Sequence, residues 1–179
     1  MFLKRWITLA AFVLISGSGF GPRCVADTFT ANLTPSQEVP PTASLGSGTA
    51  TVTVTGDILS ITESWTGLTA PASAAHIHCC SAPGVSSSVV LPFTGFPSAT
   101  AGTYTQSFSL LTALTGISEA NFLAGLNGGL AYVNIHDVNF PSGEIRGQLI
   151  AATPEPESLV LLGTAMVGMM AAVRRRVSV

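Results

Sequence analysis

The residues best suited to chemistry in this sequence are its three histidines, His76, His78 and His136. In an extended strand, residues two apart point to the same face and stand about 7 Å apart. A third imidazole from a neighbouring strand would complete a set of three nitrogen donors, which suits copper or zinc. The spacing therefore predicts a metal site at His76, His78 and His136.

The same histidines have a second interpretation, which the sequence leaves open. Asn134, Glu144 and Arg146 lie on the same predicted faces, and with the histidines they would form a hydrogen-bonded polar cluster. Such a cluster fixes strand register and satisfies buried donors. Glu144 and Arg146 are two residues apart, so a same-face ion pair is an additional expectation of this interpretation.

Two adjacent cysteines, Cys79 and Cys80, directly follow His78. Three states compete for them: a vicinal disulfide, two free thiols, or soft metal ligands beside His78. A redox role is a further candidate for the pair. A cysteine nucleophile would make the protein an enzyme, but the sequence offers no identifiable third residue to orient a Cys–His pair. We therefore expect a protein without enzymatic activity.

Alternation of polar and apolar residues predicts the strands that carry these side chains. Two strands at 47–55 and 58–65, joined by Gly56-Asp57, predict a hairpin. One helix is predicted at 118–126, begun by a Ser118 cap. Further strands are predicted at 27–33, 74–79, 87–93, 104–110, 130–136 and 144–151. This pattern indicates an all-β fold, an antiparallel β-sandwich or Greek-key barrel with one short helix.

The alternation also separates two kinds of face. Ala75 and Ile77 oppose His76 and His78, and the apolar residues of 130–136 oppose Asn134 and His136. If the apolar faces build the core, the other faces hold all three histidines together with Arg146.

Composition excludes several classes of protein. Only 9% of the 179 residues are charged, and the segment 27–153 carries one arginine and seven acidic residues, so its net charge is −6. Nucleic-acid binding needs a basic surface, so that class is excluded. The low charge argues against a helical bundle, and the abundant apolar and β-branched residues argue against disorder.

The first 26 residues have the features of a secretory signal peptide. Lys4 and Arg5 precede an apolar run at 6–15, and small residues before position 27 predict cleavage after Ala26. The sequence thus divides into a signal peptide at 1–26, a β domain at 27–153 and a tail at 154–179.

The tail combines three features in a fixed order. Pro154, Glu155 and Pro156 are followed by an apolar stretch at 158–173 and then by three arginines near the terminus, Arg174, Arg175 and Arg176. A helix over 158–173 would be about 24 Å long, slightly short of the ~30 Å hydrocarbon core, but arginine side chains can extend to the headgroups. The arginines predict a cytoplasmic end, with the β domain facing outward.

This tail resembles the PEP-CTERM sorting signal. The resemblance implies a Gram-negative bacterium that makes an exopolysaccharide matrix. It also implies transient anchoring in the inner membrane until an exosortase-type enzyme processes the protein. An ordinary C-terminal tail anchor is the alternative, and both interpretations predict an exported domain.

The middle segment resembles the CHRD (chordin-type) domain from about Phe29 to Ile150. The resemblance rests on a set of ordered motifs: Phe29-Thr30-Ala31-Asn32-Leu33, Gln37-Glu38-Val39-Pro40-Pro41, Ala75-His76-Ile77-His78, Tyr132-Val133-Asn134-Ile135-His136 and Pro141-Ser142-Gly143-Glu144-Ile145-Arg146-Gly147-Gln148-Leu149. In chordin this domain belongs to an extracellular protein that binds growth factors. Bacterial members are exported and mostly have no assigned activity, so the resemblance implies no catalytic residue.

Two functions follow as expectations. The first is a structural or adhesive role at the cell surface or in the extracellular matrix of a biofilm, with an exopolysaccharide or another surface protein as partner. The second is a periplasmic or extracellular copper- or zinc-binding protein that uses the three histidines and is redox-active.

Overall fold

The computed structural model describes residues 27–152. Its strands are β1 (Asp27–Leu33), β2 (Ser47–Thr55), β3 (Ile58–Thr66), β4 (Ala74–His78), β5 (Val89–Pro92), β6 (Gly102–Ser109), β7 (Tyr132–His136), β8 (Ile145–Gln148) and β9 (Ile150–Ala151). A single 3₁₀ turn spans Pro35–Gln37, and two α-helices follow, α1 (Leu110–Ala113) and α2 (Glu119–Asn127).

The strands form two antiparallel sheets, which confirms the predicted β-sandwich. The five-stranded sheet has the order β6-β3-β2-β1-β9, and the four-stranded sheet has the order β5-β4-β7-β8. The β2–β3 hairpin forms as predicted, with Thr55 opposite Ile58 and a positive φ of 55° at Gly56. Glycine adopts this φ without steric cost, which allows the two-residue turn.

The interior lies between the two sheets and is built from the apolar side of the alternation. Val52 and Ile61 from one sheet and Ile77, Val133 and Ile135 from the other have no exposed surface. Each such side chain contributes about 1.5–3 kcal/mol on burial, so this layer supplies most of the free energy that holds the sheets together.

One acidic residue lies within the apolar interior. Glu63 of β3 shares its face with Leu59, Ile61 and Trp65, and it is fully buried. Neither carboxyl oxygen has a hydrogen-bond partner, and burial raises the pKa of Glu63 to about 8. This carboxyl is therefore protonated at neutral pH, because the uncharged form costs less to bury.

The predicted strand at 144–151 is divided in the structure. Residues 145–148 belong to the four-stranded sheet, whereas Ile150 and Ala151 pair with β1 in the five-stranded sheet. Leu149, between them, is buried in the interior, and its N–H donates to the carbonyl of Ala131 (2.9 Å). The chain passes from one sheet to the other at Leu149. The alternation of buried and exposed residues therefore continues, although the neighbouring strand changes from β7 to β1.

The helices match the sequence pattern in part. Ser118 caps α2 as predicted, since its side chain accepts a hydrogen bond from the N–H of Asn121. The predicted strand at 104–110 ends one residue earlier, and the short α1 helix follows it. The N–H of Leu110 donates to the carbonyl of Asp57 (2.8 Å), which turns the chain away from the sheet.

The predictions for the two ends of the chain lie outside the described residues. They are the signal peptide at 1–26, the tail from Pro154 and its membrane helix at 158–173. Between residues 27 and 152, no helix is long and apolar enough to cross a membrane.

Candidate metal centre

Strands β4 and β7 position the three histidines. They pair antiparallel with Ala74 opposite His136, His76 opposite Asn134 and His78 opposite Tyr132. This register puts all three imidazoles on the side of the sheet that faces away from the interior. One nitrogen from each ring lies within 4.8 Å of the other two.

Backbone carbonyls orient two of the rings. His78 Nδ1 lies 2.8 Å from the carbonyl oxygen of Ser87, and His136 Nδ1 lies 3.0 Å from that of Pro141. A carbonyl oxygen only accepts, so Nδ1 carries the proton in both neutral rings and Nε2 carries a lone pair. Metal-binding histidines are commonly oriented by this kind of second hydrogen bond.

The free nitrogens face one another. His136 Nε2 lies 3.3 Å from His76 Nδ1 and 3.0 Å from Asn134 Oδ1. His78 Nε2 is buried and has no hydrogen-bond partner. Since His136 Nε2 carries a lone pair, His76 Nδ1 donates to it, and His78 Nε2 is the acceptor left without a donor.

The three imidazoles are held in the neutral form. Burial, followed by the proximity of His136 and His78, lowers the pKa of His76 to about 4. Burial likewise lowers the pKa of His78 and of His136, outweighing the hydrogen bonds to Ser87 and Pro141. Histidine binds metals in its neutral form, so these rings are in the protonation state that a metal requires.

A stack of side chains continues from His78 across the sheet. The Tyr132 ring is parallel to His78, with centroids 4.6 Å apart, and the Arg146 guanidinium carbon lies 3.3 Å from the Tyr132 centroid. The N–H of Ser87 donates to the Tyr132 hydroxyl (3.2 Å), and Arg146 Nη2 donates to the carbonyl of Val85 (3.1 Å). The loop around Val85 and Ser87 is thereby held over the sheet.

The remaining members of the predicted polar cluster divide into two groups. Asn134 contacts His136. Glu144 instead accepts hydrogen bonds from the Ser44 hydroxyl (2.6 Å) and the Thr69 N–H (2.8 Å). The expected Glu144–Arg146 ion pair is absent from residues 27–152, because each side chain has its partners in a different loop.

A pair of carboxyls lies at the edge of this face. Burial raises the pKa of Glu144, and the neighbouring Asp137 raises it further. Burial would also raise the pKa of Asp137, but hydrogen bonds from Thr69, Glu144 and Phe140 hold it below its usual value. The raised pKa of Glu144 beside the lowered pKa of Asp137 favours Glu144 as the carboxyl that holds a proton shared by the pair.

Sequence reasoning missed Glu38 as a site residue. It is buried close to Asn134 and Arg146, and burial raises its pKa to about 7 although the arginine charge and the Asn134 hydrogen bond lower it. A side chain at Gly143 would overlap the Glu38 carboxyl, so glycine is required there. Glu38 lies in a loop, where alternation gives no signal. The sequence identifies it only as part of the Gln37–Pro41 motif of the family resemblance.

Cys79 and Cys80 form a vicinal disulfide at the end of β4. Cys79 is buried, and Gly125 of α2 packs against both sulfurs. In this state neither sulfur is a thiolate, so neither serves as a metal ligand or a nucleophile.

Comparison with known proteins gives two matches. The family model described as CHRD domain matches residues 29–149, and the model described as PEP-CTERM protein-sorting motif matches residues 152–176. No curated protein and no solved structure matches the chain. Both resemblances predicted from the sequence are confirmed, and the first match spans both sheets and the histidine cluster.

Proposed function

This chain belongs to the CHRD domain family, and on that premise we propose that its β domain binds one copper or zinc ion through His76, His78 and His136. The sorting motif indicates export and membrane-anchored sorting by an exosortase-type system in a Gram-negative bacterium. We further propose the division into a signal peptide at 1–26, a β domain at 27–153 and a sorting tail at 154–179.

The observation that carries the metal proposal is the close approach of three imidazole rings, each with one nitrogen within 4.8 Å of the other two. In a tetrahedral site with bonds of about 2.0–2.1 Å, neighbouring ligand nitrogens stand about 3.3 Å apart. His76 Nδ1 and His136 Nε2 have this separation, 3.3 Å. One nitrogen of His78 lies within 4.8 Å of a nitrogen in each of the other two rings.

The polar-cluster interpretation explains this geometry less well. Buried polar atoms in native proteins nearly always have a hydrogen-bond partner. His78 Nε2 has none, and His136 Nε2 faces the oxygen of Asn134. A cation at the centre would satisfy these acceptors together.

The metal identity decides what chemistry is available. Three imidazoles leave a fourth position for water or a ligand, as in catalytic zinc sites. A copper ion would add the capacity to change oxidation state, which is the redox function expected as an alternative. The chain's own contribution is to orient two of the three neutral rings, His78 through Ser87 and Tyr132 and His136 through Pro141.

Metal content tests the proposal. The exported protein is purified without a histidine tag from cells supplied with copper and zinc, and its metals are measured by plasma mass spectrometry. We expect about one ion per chain in the parent and less than a tenth of that in H76A/H136A. The control T105A, on the other sheet, should retain the parent's content. A parent without metal, or a folded H76A/H136A variant with full metal, would overturn the proposal.

A structural or adhesive role in the matrix is a second candidate, and one observation favours it. The outward positions of β1, β2, β3 and β6 carry hydroxyl side chains almost throughout. Thr30, Thr51, Thr62 and Thr105 stand directly opposite one another across the four strands. Because the outward positions of these strands carry no charge, the face is suited to hydrogen bonding with a neutral polysaccharide at the cell surface or in the matrix.

Co-sedimentation with a neutral insoluble polysaccharide tests this second candidate. We expect the parent to pellet with amorphous cellulose and T51E/T62E to remain in solution, because two charges would need desolvation against the polymer. Q106E serves as the control, because it adds a charge on β6 at a position outside the row of threonines. Equal pelleting of parent and T51E/T62E would rule the face out.

A further inference from the structure

The domain's one arginine is buried with no carboxylate in direct contact. Arg146 is 2% exposed, and within residues 27–152 no carboxylate lies within 4.0 Å of its guanidinium. Within residues 27–152 the guanidinium makes one hydrogen bond, from Nη2 to the carbonyl oxygen of Val85. A buried cation is costly unless its donors find partners, so the unused N–H groups indicate a missing acceptor.

A cavity lies beside this guanidinium. It has a volume of about 440 Å³, and Arg146 and Glu38 both line it, with Val39, Pro41 and Pro83 as apolar walls. Arg146 is among the residues that line this space, and none of its nitrogens is both fully buried and without a partner. The cavity therefore combines a fixed cation, a carboxyl group and apolar contacts, which is the usual make-up of a small-molecule site.

We propose that this cavity binds a small monocarboxylate with hydroxyl groups, of the sugar-acid type, whose carboxylate pairs with Arg146. The planar guanidinium matches a carboxylate in two parallel hydrogen bonds. A hydroxyl group of the ligand reaches Glu38, a buried carboxyl on the same cavity. The ligand is a monoanion, because one arginine stands in a segment with a net charge of −6.

This site is separate from the proposed metal centre. The Tyr132 ring has the guanidinium on one side and His78 on the other, so the cavity and the histidines lie on opposite sides of that ring. Loss of the histidines should therefore leave ligand binding intact. The two proposals can fail independently.

Calorimetric titration of the exported protein with sodium glucuronate tests the proposal, with glucose and inorganic phosphate as comparison ligands. We expect saturable binding of glucuronate, no binding of glucose, and binding of phosphate at least tenfold weaker. R146K should weaken glucuronate binding at least tenfold, because an ammonium cannot form the paired hydrogen bonds. E38Q should bind as tightly as the parent or more tightly, since it removes a carboxyl that repels the ligand when ionised.

Two control measurements separate loss of ligand binding from loss of folding. Thermal unfolding shows whether R146K is folded, and if it is not, the E38Q and glucose comparisons carry the test. H76A/H136A should bind glucuronate as the parent does. Equal binding of glucose and glucuronate, tighter binding of phosphate, or no saturation by glucuronate would overturn the proposal.

The source of the ligand is distinguished by a second titration. A free sugar acid predicts binding of the monomer and none of polyglucuronate, which the negative domain repels. A polysaccharide end predicts that short glucuronate oligomers bind at least as tightly as the monomer. Both results support a carboxylate on Arg146, and failure of every uronate contradicts it.

Discussion

The four-stranded sheet separates two buried layers that differ in how they are stabilised. On its inner side, Ile77, Val133 and Ile135 pack against the other sheet and contribute through buried apolar area. On its outer side lie His78, Asn134 and Arg146, from β4, β7 and β8, and these polar side chains are almost as well buried. Here loops cover the sheet, and backbone carbonyls of those loops fix the polar side chains.

The difference shows that burial alone does not define the core. Both layers follow from one alternation of residues, but the outer layer depends on the loop carbonyls of Val85, Ser87 and Pro141. Each layer has groups that do not fit its rule, such as Glu63 in the apolar interior and the unpartnered Nε2 of His78 in the polar layer. Substitutions in the two layers should therefore change the free energy of unfolding by different amounts.

The largest expected effect comes from Glu63 and depends on pH. Its pKa is about 8 in the folded protein against 4.5 for the unfolded group, so the folded state binds the extra proton and the free energy of unfolding falls as pH rises from about 4.5 to about 8. Relative to E63L, the parent should lose about 4 kcal/mol between pH 5 and pH 8. Urea unfolding at several pH values measures the difference.

The comparison of parent with E63L isolates this group, because Glu38 has a raised pKa as well and remains in both proteins. Parallel pH profiles for the two proteins would show that Glu63 is solvated or paired, and that the interior tolerates its charge.

Neighbouring residues on β4 provide a matched test of the two layers. I77A removes interior packing and should cost about 3 kcal/mol of unfolding free energy. H76A, one residue earlier, should cost less than about 1 kcal/mol in metal-free protein, since His76 is only half-buried. Urea unfolding in the presence of a chelator compares them, and equal losses would mean that the outer layer also behaves as core.

A smaller effect is expected at Tyr132. Y132F keeps the ring between His78 and Arg146 but removes the oxygen that accepts the Ser87 N–H. An N–H left without a partner costs about 1 kcal/mol, so stability should fall by that amount while metal content is retained. Thermal unfolding and metal analysis of the same sample check both parts. Loss of metal at unchanged stability would assign the hydroxyl to the metal site.

The smallest effect is expected on the uncovered face of the five-stranded sheet. S60A removes a hydrogen bond between Ser60 and Ser107 (2.8 Å) that water can replace. The unfolding free energy should change by less than about 0.5 kcal/mol. A larger loss in urea unfolding would indicate that this face, like the outer face of the other sheet, has a covering partner.

Much of the fold could be predicted because its signals are local. Strict alternation identified β1 and β2 with the bounds that the structure has, and Ser118 identified the start of α2. The faces of β4 and β7 were likewise assigned correctly from alternation, so the histidines were expected on one side. Their approach to within 4.8 Å depends on the register of two strands far apart in sequence, which a local pattern does not determine.

The groups that complete the site could not be predicted for the same reason. Ser87, Pro141 and Glu38 reach it from loops, whose paths depend on the packing of the whole domain. Glu63 occupies an interior position in the alternation, but its residue type contradicts that position. The change of sheet at Leu149 leaves the alternation intact and therefore gives no signal in the sequence.

The pairing of β9 with β1 has a mechanical consequence. Phe29 lies opposite Ala151, and the N–H of Ala152 donates to the carbonyl of Thr28 (2.7 Å), so the chain enters and leaves the domain side by side. Any tension transmitted through the following residues reaches the sandwich at this edge, where two residues of β9 carry it first. The adjacent ends also mean that a short linker could join them, and new ends could be opened in a distant turn such as Gly56-Asp57.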